Sequence, residues 1–280
     1  MENLYENITK QIITMLEKGV KPWEKPWSYN GIPQMPFNYC SKLLYRGINT
    51  LILWCEMAKK EFHTNAWLTL KQANQLGGIV LKGEKGIRCV FYKFIEKEDE
   101  EKKEIITFPI LKTFVLFNLD QIDGIKLEID ANEPIEPITK AKSTIQKTGA
   151  KIEHGFSGAF YRPTGDVICM PPADSFHSRE DYYATLLHEL VHWSGHESRL
   201  DRFNNACGKE SYAFEELVAE IGSAFLCADL GVNGELQHAS YINGWLEILN
   251  KNKRAIFKAA SLAATTHQFL TDFENNQMNC

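Results

Sequence analysis

Apolar residues recur at every fourth position near the start of the chain. Leu4, Ile8, Ile12 and Leu16 share one helical face before Gly19 ends the run. That spacing predicts a helix over 4–19 with a single buried side. The stretch KPWEKPWSYNGIPQMPFNYC (21–40) holds too many prolines and aromatics for a regular element. Helical patterning returns over 48–62 and again over 69–78, the second closed by glycine. Residues 86–94 and 105–118 read as two strands, with the charged run EKEDEEKKE (96–104) between them as a solvated hairpin loop. Periodicity lapses over 123–140, where Pro, Asp and Glu cluster, which divides the chain into domains 1–128 and 129–280. Beyond that boundary come a helix over 138–148, a strand pair within 159–170 turning at Thr164–Asp166, and helices over 179–194, 211–230 and 240–270. The tail TDFENNQMNC is expected to fray. The fold class is therefore α+β in two domains, the first mixed and the second mainly helical.

Composition narrows the setting. With 280 residues, 44% hydrophobic and 24% charged, the chain can bury a sizeable core. It has no apolar run of about 18 residues, so no membrane span is expected. The polar start MENLYENITKQ lacks the basic and apolar segments of a secretory signal. The seven cysteines are scattered and never spaced as CxxC, which points to reduced thiols in a cytoplasmic setting and away from a cysteine metal cage. The net charge of −5 is unevenly spread. Residues 1–95 hold 13 Lys/Arg against 7 Asp/Glu, giving +6, while the rest hold 18 against 29, giving −11.

That asymmetry gives the N-terminal part a chemistry of its own. Lys21, Trp23, Lys25, Trp27 and Tyr29 alternate along KPWEKPWSYN, between prolines that stiffen the backbone. Rings that stack on bases and ammonium groups that meet phosphates suit single-stranded nucleic acid. Arg46, Lys82, Lys85 and Arg88 extend the candidate DNA-binding set. Trp and Pro in such a loop also serve simply to pin it to a core.

The C-terminal part carries a sharper signal. Within TLLHELVHWSGH (185–196), His188 and His192 lie one helical turn apart with Glu189 between them. Both imidazoles then face one ion, and Glu189 is placed to take a proton from water, the chemistry of a zinc hydrolase. Ser178 caps this helix and Glu180 and Asp181 fill its first turn. A catalytic zinc site keeps three protein ligands and one open position. His196 is one candidate for the third, although Gly195 interrupts the helix before it. A metzincin arrangement is excluded, because its third histidine would fall on Ser198. Glu216 and Glu220 compete for the same place from YAFEELVAEIGSAFLCADLG (212–231), where Ala219, Gly222, Ser223 and Ala224 permit close helix approach. The ELVAE segment resembles the ligand helix of gluzincin peptidases. That resemblance implies Glu216 as ligand and Glu220 as the residue orienting a histidine; His196 is then expected behind the ligands or on the substrate side of the metal. The segment around GDVICMPP (165–172) is the expected edge strand for an extended peptide substrate.

Larger stretches resemble the ArdC-type antirestriction proteins of conjugative plasmids and related mobile elements. PWEKPW, YRGIN (45–49), KGEKG (82–86) and VLFNLDQIDG (115–124) resemble that family's single-stranded DNA-binding domain. DVICMPP, HELVHWSGHESRLDR (188–202), YAFEELVAE and YINGWLEIL resemble its zincin-like metallopeptidase domain. The resemblance implies one Zn2+ per chain on His188, His192 and Glu216, with Glu189 as base. It also implies single-stranded DNA as a partner, a protein substrate and no membrane. Two other readings stay open: a zinc protease that cleaves a repressor, and a DNA-coating module without proteolysis.

Overall fold

A computed structural model describes residues 2–23, 34–99, 104–127, 136–203, 208–234 and 241–275. The chain divides into two compact units, one of residues 1–4 and 36–128, the other of 5–35 and 129–280. The described residues of this segment, 5–23 and 34–35, expected with the N-terminal domain, therefore group with the C-terminal one. The cause lies in the first helix, α1 (Glu2–Glu17). Its apolar stripe, with Ile8, Ile12, Ile13 and Leu16 all buried, needs a partner surface. It finds one in the last helices: the Tyr5 ring meets Phe257 at 4.5 Å, and the Thr9 hydroxyl donates to the Lys253 carbonyl at 2.7 Å.

The first unit is a small mixed domain. Strands β1 (Phe37–Asn38), β2 (Ala66–Leu68), β4 (Ile87–Asp99) and β5 (Glu104–Asn118) form a sheet in the order β1-β2-β5-β4. A two-stranded pair joins β3 (Ile79–Val80) to β6 (Ile122–Asp123). The β4–β5 ribbon continues through the charged run to Asp99 and Glu104, further than the expected loop allowed. Ladder hydrogen bonds belong to the backbone, so charged side chains do not end a ribbon that water can reach. Helix α2 (Ile48–Lys60) is fastened to the edge strand β4 by Asn49, whose carboxamide bonds both the Val90 amide (2.9 Å) and carbonyl (2.8 Å). Helix α3 (Leu70–Gln75) opens with a capping box between Thr69 and Gln72 and stops before Gly77, at φ 79°.

The second unit is mainly helical. Helix α4 (Pro137–Thr148) leads into a three-stranded sheet of β7 (Lys151–His154), β8 (Phe160–Arg162) and β9 (Val167–Met170), ordered β7-β9-β8. Helices α5 (Arg179–Ser194) and α6 (Lys209–Leu230) follow. The expected final helix is two, α7 (Ile242–Lys251) and α8 (Ala255–Asn275). Asn252 breaks it by leaving helical geometry and accepting the Arg254 amide on its own side chain at 2.9 Å. The core gathers Ile168, Met170, Leu187, Leu190, Val191, Leu226 and Leu270 from the sheet and the helices. Among the described residues no helix is long and apolar enough to cross a membrane.

One polar contact ties α6 to α8 at the rim of this core. Asp229 Oδ2 lies 3.1 Å from His267 Nε2, with Lys140 Nζ 3.9 Å from its other oxygen. Burial pulls the Asp229 carboxyl up, but His267 and Lys140 outweigh it and hold the group below its ordinary 3.8. A depressed carboxylate contributes stability that is complete above the unfolded pKa and lost as pH falls through the folded one. Asp229→Asn is thus expected to lower the urea midpoint at pH 7, and the gap to the parent protein should close below pH 3.8. A gap that persists unchanged in acid would show that the charge is irrelevant.

Candidate metal centre

The centre is built where α5 and α6 approach closely. Ser178 caps α5 by accepting the Asp181 amide at 3.0 Å, and His188 and His192 follow with ring centroids 4.9 Å apart. Across from them α6 presents Gly222, where a Cβ would sit 3.1 Å from both methyls of Val191. One step along, the Ser223 hydroxyl lies 3.4 Å from the Ala184 carbonyl. With the backbones this near, Glu216 reaches between the two imidazoles. Its Oε2 is 3.6 Å from His188 Nε2 and its Oε1 is 3.6 Å from His192 Nε2. One nitrogen from each histidine and one Glu216 oxygen all lie within 4.8 Å of one another. Donors about 2 Å from a shared tetrahedral ion are separated by about 3.3 Å, so the three fit a single divalent cation.

Each histidine also faces a carboxylate with its outer nitrogen. His188 Nδ1 is 3.9 Å from Glu220 Oε2, and His192 Nδ1 is 3.4 Å from Glu215 Oε1. Such partners fix ring orientation and strengthen a ligand. Each carboxylate is in turn backed by a cation. Arg202 Nη2 meets Glu215 at 2.8 Å while its guanidinium also bonds the Val191 carbonyl and the hydroxyls of Ser194 and Thr266. Gly195 leaves room for it, since a Cβ there would lie 2.8 Å from Nη2. Lys21 Nζ meets Glu220 Oε1 at 2.9 Å, and the Trp23 indole nitrogen is 3.5 Å from the same oxygen. The Lys21 ammonium explains how Glu220, at 2% exposure, tolerates burial, and Glu216, at 5%, is balanced by the two imidazoles it faces.

The field at the centre follows from this arrangement. Burial alone would depress His192, but Glu215, Glu216 and Glu189 push it up to about 10. Burial works against the Glu216 carboxylate, yet the two imidazoles hold it well below the usual carboxylate range. For Glu215, His192 and Arg202 likewise overcome burial. A divalent cation would take the place of the proton that His192 holds here. One turn before Glu216, the Tyr212 hydroxyl lies 3.2 Å from that of Tyr241. Burial of its oxygen, Tyr241 and Glu216 all push the Tyr212 phenol up, so it keeps its proton.

The sequence-derived candidates divide accordingly. The structure brings together His188, His192 and Glu216, places Glu220 behind His188, and buries Glu189 at 5% exposure within the field of His192. His196 lies past the end of α5 with Nδ1 2.8 Å from the Ser198 hydroxyl and does not join the donors. Lys21 and Trp23, expected to face DNA, are instead buried at 5% and 3% exposure, Trp23 packing edge-on against Trp245 at 5.7 Å. A buried carboxylate recruits an ammonium group more strongly than solvent phosphate does. Lys25 and Trp27 lie outside the described residues. Arg46, Lys82, Lys85 and Arg88 are exposed on the first unit. The segment 165–172 is not a sheet edge, because β9 is central and the free edges belong to β7 and β8. Glu215, Arg202 and Tyr212 escaped the sequence reading. Two ligand histidines require two outer acceptors, and that count alone would have pointed to a second carboxylate beside Glu220.

Comparison with known proteins shows the family to which both parts of the chain are similar. Residues 2–117 match the N-terminal domain of anti-restriction factor ArdC, and residues 139–262 match a zincin-like metallopeptidase family. The chain is 36% identical to the uncharacterized protein y4eC of Sinorhizobium fredii, covering 99% of this chain and 95% of that one. It is also 36% identical to an Escherichia coli DNA primase TraC, of which it spans only 20%. Crystal structures of the antirestriction ArdC protein from plasmid R388 are similar throughout. The metal-free form has 43% identity and a TM-score of 0.85, the Mn(II)-bound form 42% and 0.82, and each comparison covers 98% of both chains.

If Lys21 holds Glu220 in place behind His188, Lys21→Met and Glu220→Gln should each weaken Mn2+ binding about tenfold or more. Combined, they should cost little more than either alone. Additive losses in a chelator-competition titration would show that Lys21 acts on the site by another route.

Proposed function

This chain belongs to the ArdC antirestriction family, and from that premise we propose that it protects incoming DNA by binding single strands while carrying a zinc-dependent peptidase centre. The observation that carries the peptidase reading is the meeting of His188, His192 and Glu216 with a further buried glutamate, Glu189, between the two histidines in sequence. A structural metal closes all four positions with protein groups, whereas among the described residues three donors gather here, the number a catalytic site keeps. In this reading His188, His192 and Glu216 hold Zn2+ and Glu220 and Glu215 orient the two imidazoles. A zinc ion held there supplies Lewis acidity toward a peptide carbonyl and toward water. Glu189 accepts the proton from the attacking water and passes it to the departing amine. An extended protein substrate would pair with a free edge of the β7-β9-β8 sheet by main-chain hydrogen bonds. The DNA-binding half of the proposal rests on the family and on the charge of residues 36–95, nine Lys/Arg against three Asp/Glu.

Glu189→Gln is expected to keep full zinc content yet lose hydrolysis of an unfolded protein substrate; loss of zinc from that variant would make Glu189 a ligand and overturn the assigned roles. Glu216→Ala should weaken zinc far more than His196→Ala, and the opposite ranking would reassign the third donor. For the nucleic acid, the logarithm of affinity for oligothymidylate should fall with the logarithm of salt concentration. A slope near zero would remove single strands as the partner.

A further inference from the structure

The first unit carries an aromatic row that none of the residues considered so far explains. Phe91 and Lys112 are directly opposed on the β4–β5 ladder, and Phe114 lies two residues beyond Lys112. Side chains at such positions rise from one face of the ribbon. Phe91 and Phe114 have ring centroids 6.1 Å apart, and Tyr45 stacks on the other side of Phe114 at 6.4 Å and 25°. Phe91 is 44% exposed, and neighbouring Leu43 is 71% exposed. Beside the row opens a cavity of about 540 Å³, lined among others by Leu44, Tyr45, Lys71, Gln75 and Phe114.

We propose that this face, Tyr45–Phe114–Phe91 with the adjoining cavity, is where unstacked bases of a single strand lie, with Lys71, Lys112 and Arg46 meeting the phosphates. The proposal rests on the reading of the chain as a single-strand binder and says where on it the strand sits. Three rings in succession give bases a surface to stack on, which duplex DNA, with its bases already stacked, cannot use. Charge agrees: Lys71, Lys112 and Arg46 are exposed, and among the described residues no Asp or Glu lines the cavity. The platform is also rigid. The Tyr45 hydroxyl accepts from Asn38 Nδ2 at 3.1 Å, and Asn38 and Gln72 bond each other through both ends of their carboxamides at 3.2 Å. Asn38 Oδ1 further accepts the amides of Cys40 and Ser41, and Gln72 Oε1 accepts Thr69. Amides spent on one another hold the rings and do not read base edges, so binding here tolerates any sequence.

The test uses the full chain with labelled oligothymidylate and an abasic strand of equal length. Phe91→Ala, at a half-exposed position, should weaken oligothymidylate binding about tenfold without changing the salt slope. Lys71→Ala and Lys112→Ala should each reduce that slope by about 0.7. The abasic strand should bind the parent protein at least as weakly as oligothymidylate binds Phe91→Ala. Independently of any variant, photocrosslinking a 5-iododeoxyuridine strand to the parent chain should label Tyr45, Phe91 or Phe114. Parental affinity in Phe91→Ala, or crosslinks confined to residues 79–88, would overturn this placement while leaving single-strand binding intact; the first result would point to a protein partner for the face. No salt-dependent binding by the parent chain would instead defeat the single-strand reading itself.

Discussion

The close approach of α5 and α6 at Gly222 is the constraint on which the metal centre depends. One carboxylate can stand between two imidazoles only if the helix bearing it comes within side-chain reach of both. A Cβ at residue 222 would press on Val191 at 3.1 Å from each methyl, and a larger group would lever the helices apart. Ala219, Ser223 and Ala224 continue the narrow seam. Packing and chemistry are thus the same problem here, since the small residues that permit the core also bring Glu216 into range.

Concentrating charge in that seam carries a cost that the chain meets from two distant places. Glu215 and Glu220 stand behind the histidines, and each would be expensive to bury alone. Arg202, in the turn after α5, answers the first, and Lys21, from the segment after α1, answers the second. Arg202 also takes up the carbonyl of Val191 and the hydroxyls of Ser194 and Thr266, so one guanidinium both balances charge and closes the helix end. The result is a nested arrangement in which donors, their orienting carboxylates and the compensating cations hold one another.

Much of this was legible in the amino-acid pattern, for identifiable reasons. His188, Glu189 and His192 declare themselves because helical spacing converts directly into a shared direction. Glu216 and Glu220 stand out as carboxylates on an apolar helix, where solvation is no explanation. Lys21 and Trp23 misled because alternating rings and ammonium groups look alike whether they meet a phosphate or a buried glutamate, and only three-dimensional proximity separates the two. Glu215 was hidden by its neighbour Glu216, since adjacent helical positions point about 100° apart and only one could belong to the visible stripe. The break at Asn252 and the extension of the β4–β5 ribbon were illegible because both turn on backbone hydrogen bonds, which residue type constrains weakly.

The position of residues 5–35 has a consequence for how the molecule is made. In sequence nearly all of the first unit is an insertion: 36–128 interrupts a body that draws on 5–35 before it and on residues from 129 after it. Lys21 and Glu220 are 199 positions apart, so the pair closes a very long loop. During synthesis the opening segment must wait, its apolar stripe uncovered, until α6 and α8 have left the ribosome, whereas the inserted unit can fold as soon as it emerges. The unit with the paired histidines therefore completes its core only after the inserted segment has been made, and no single cut in the chain would release it whole.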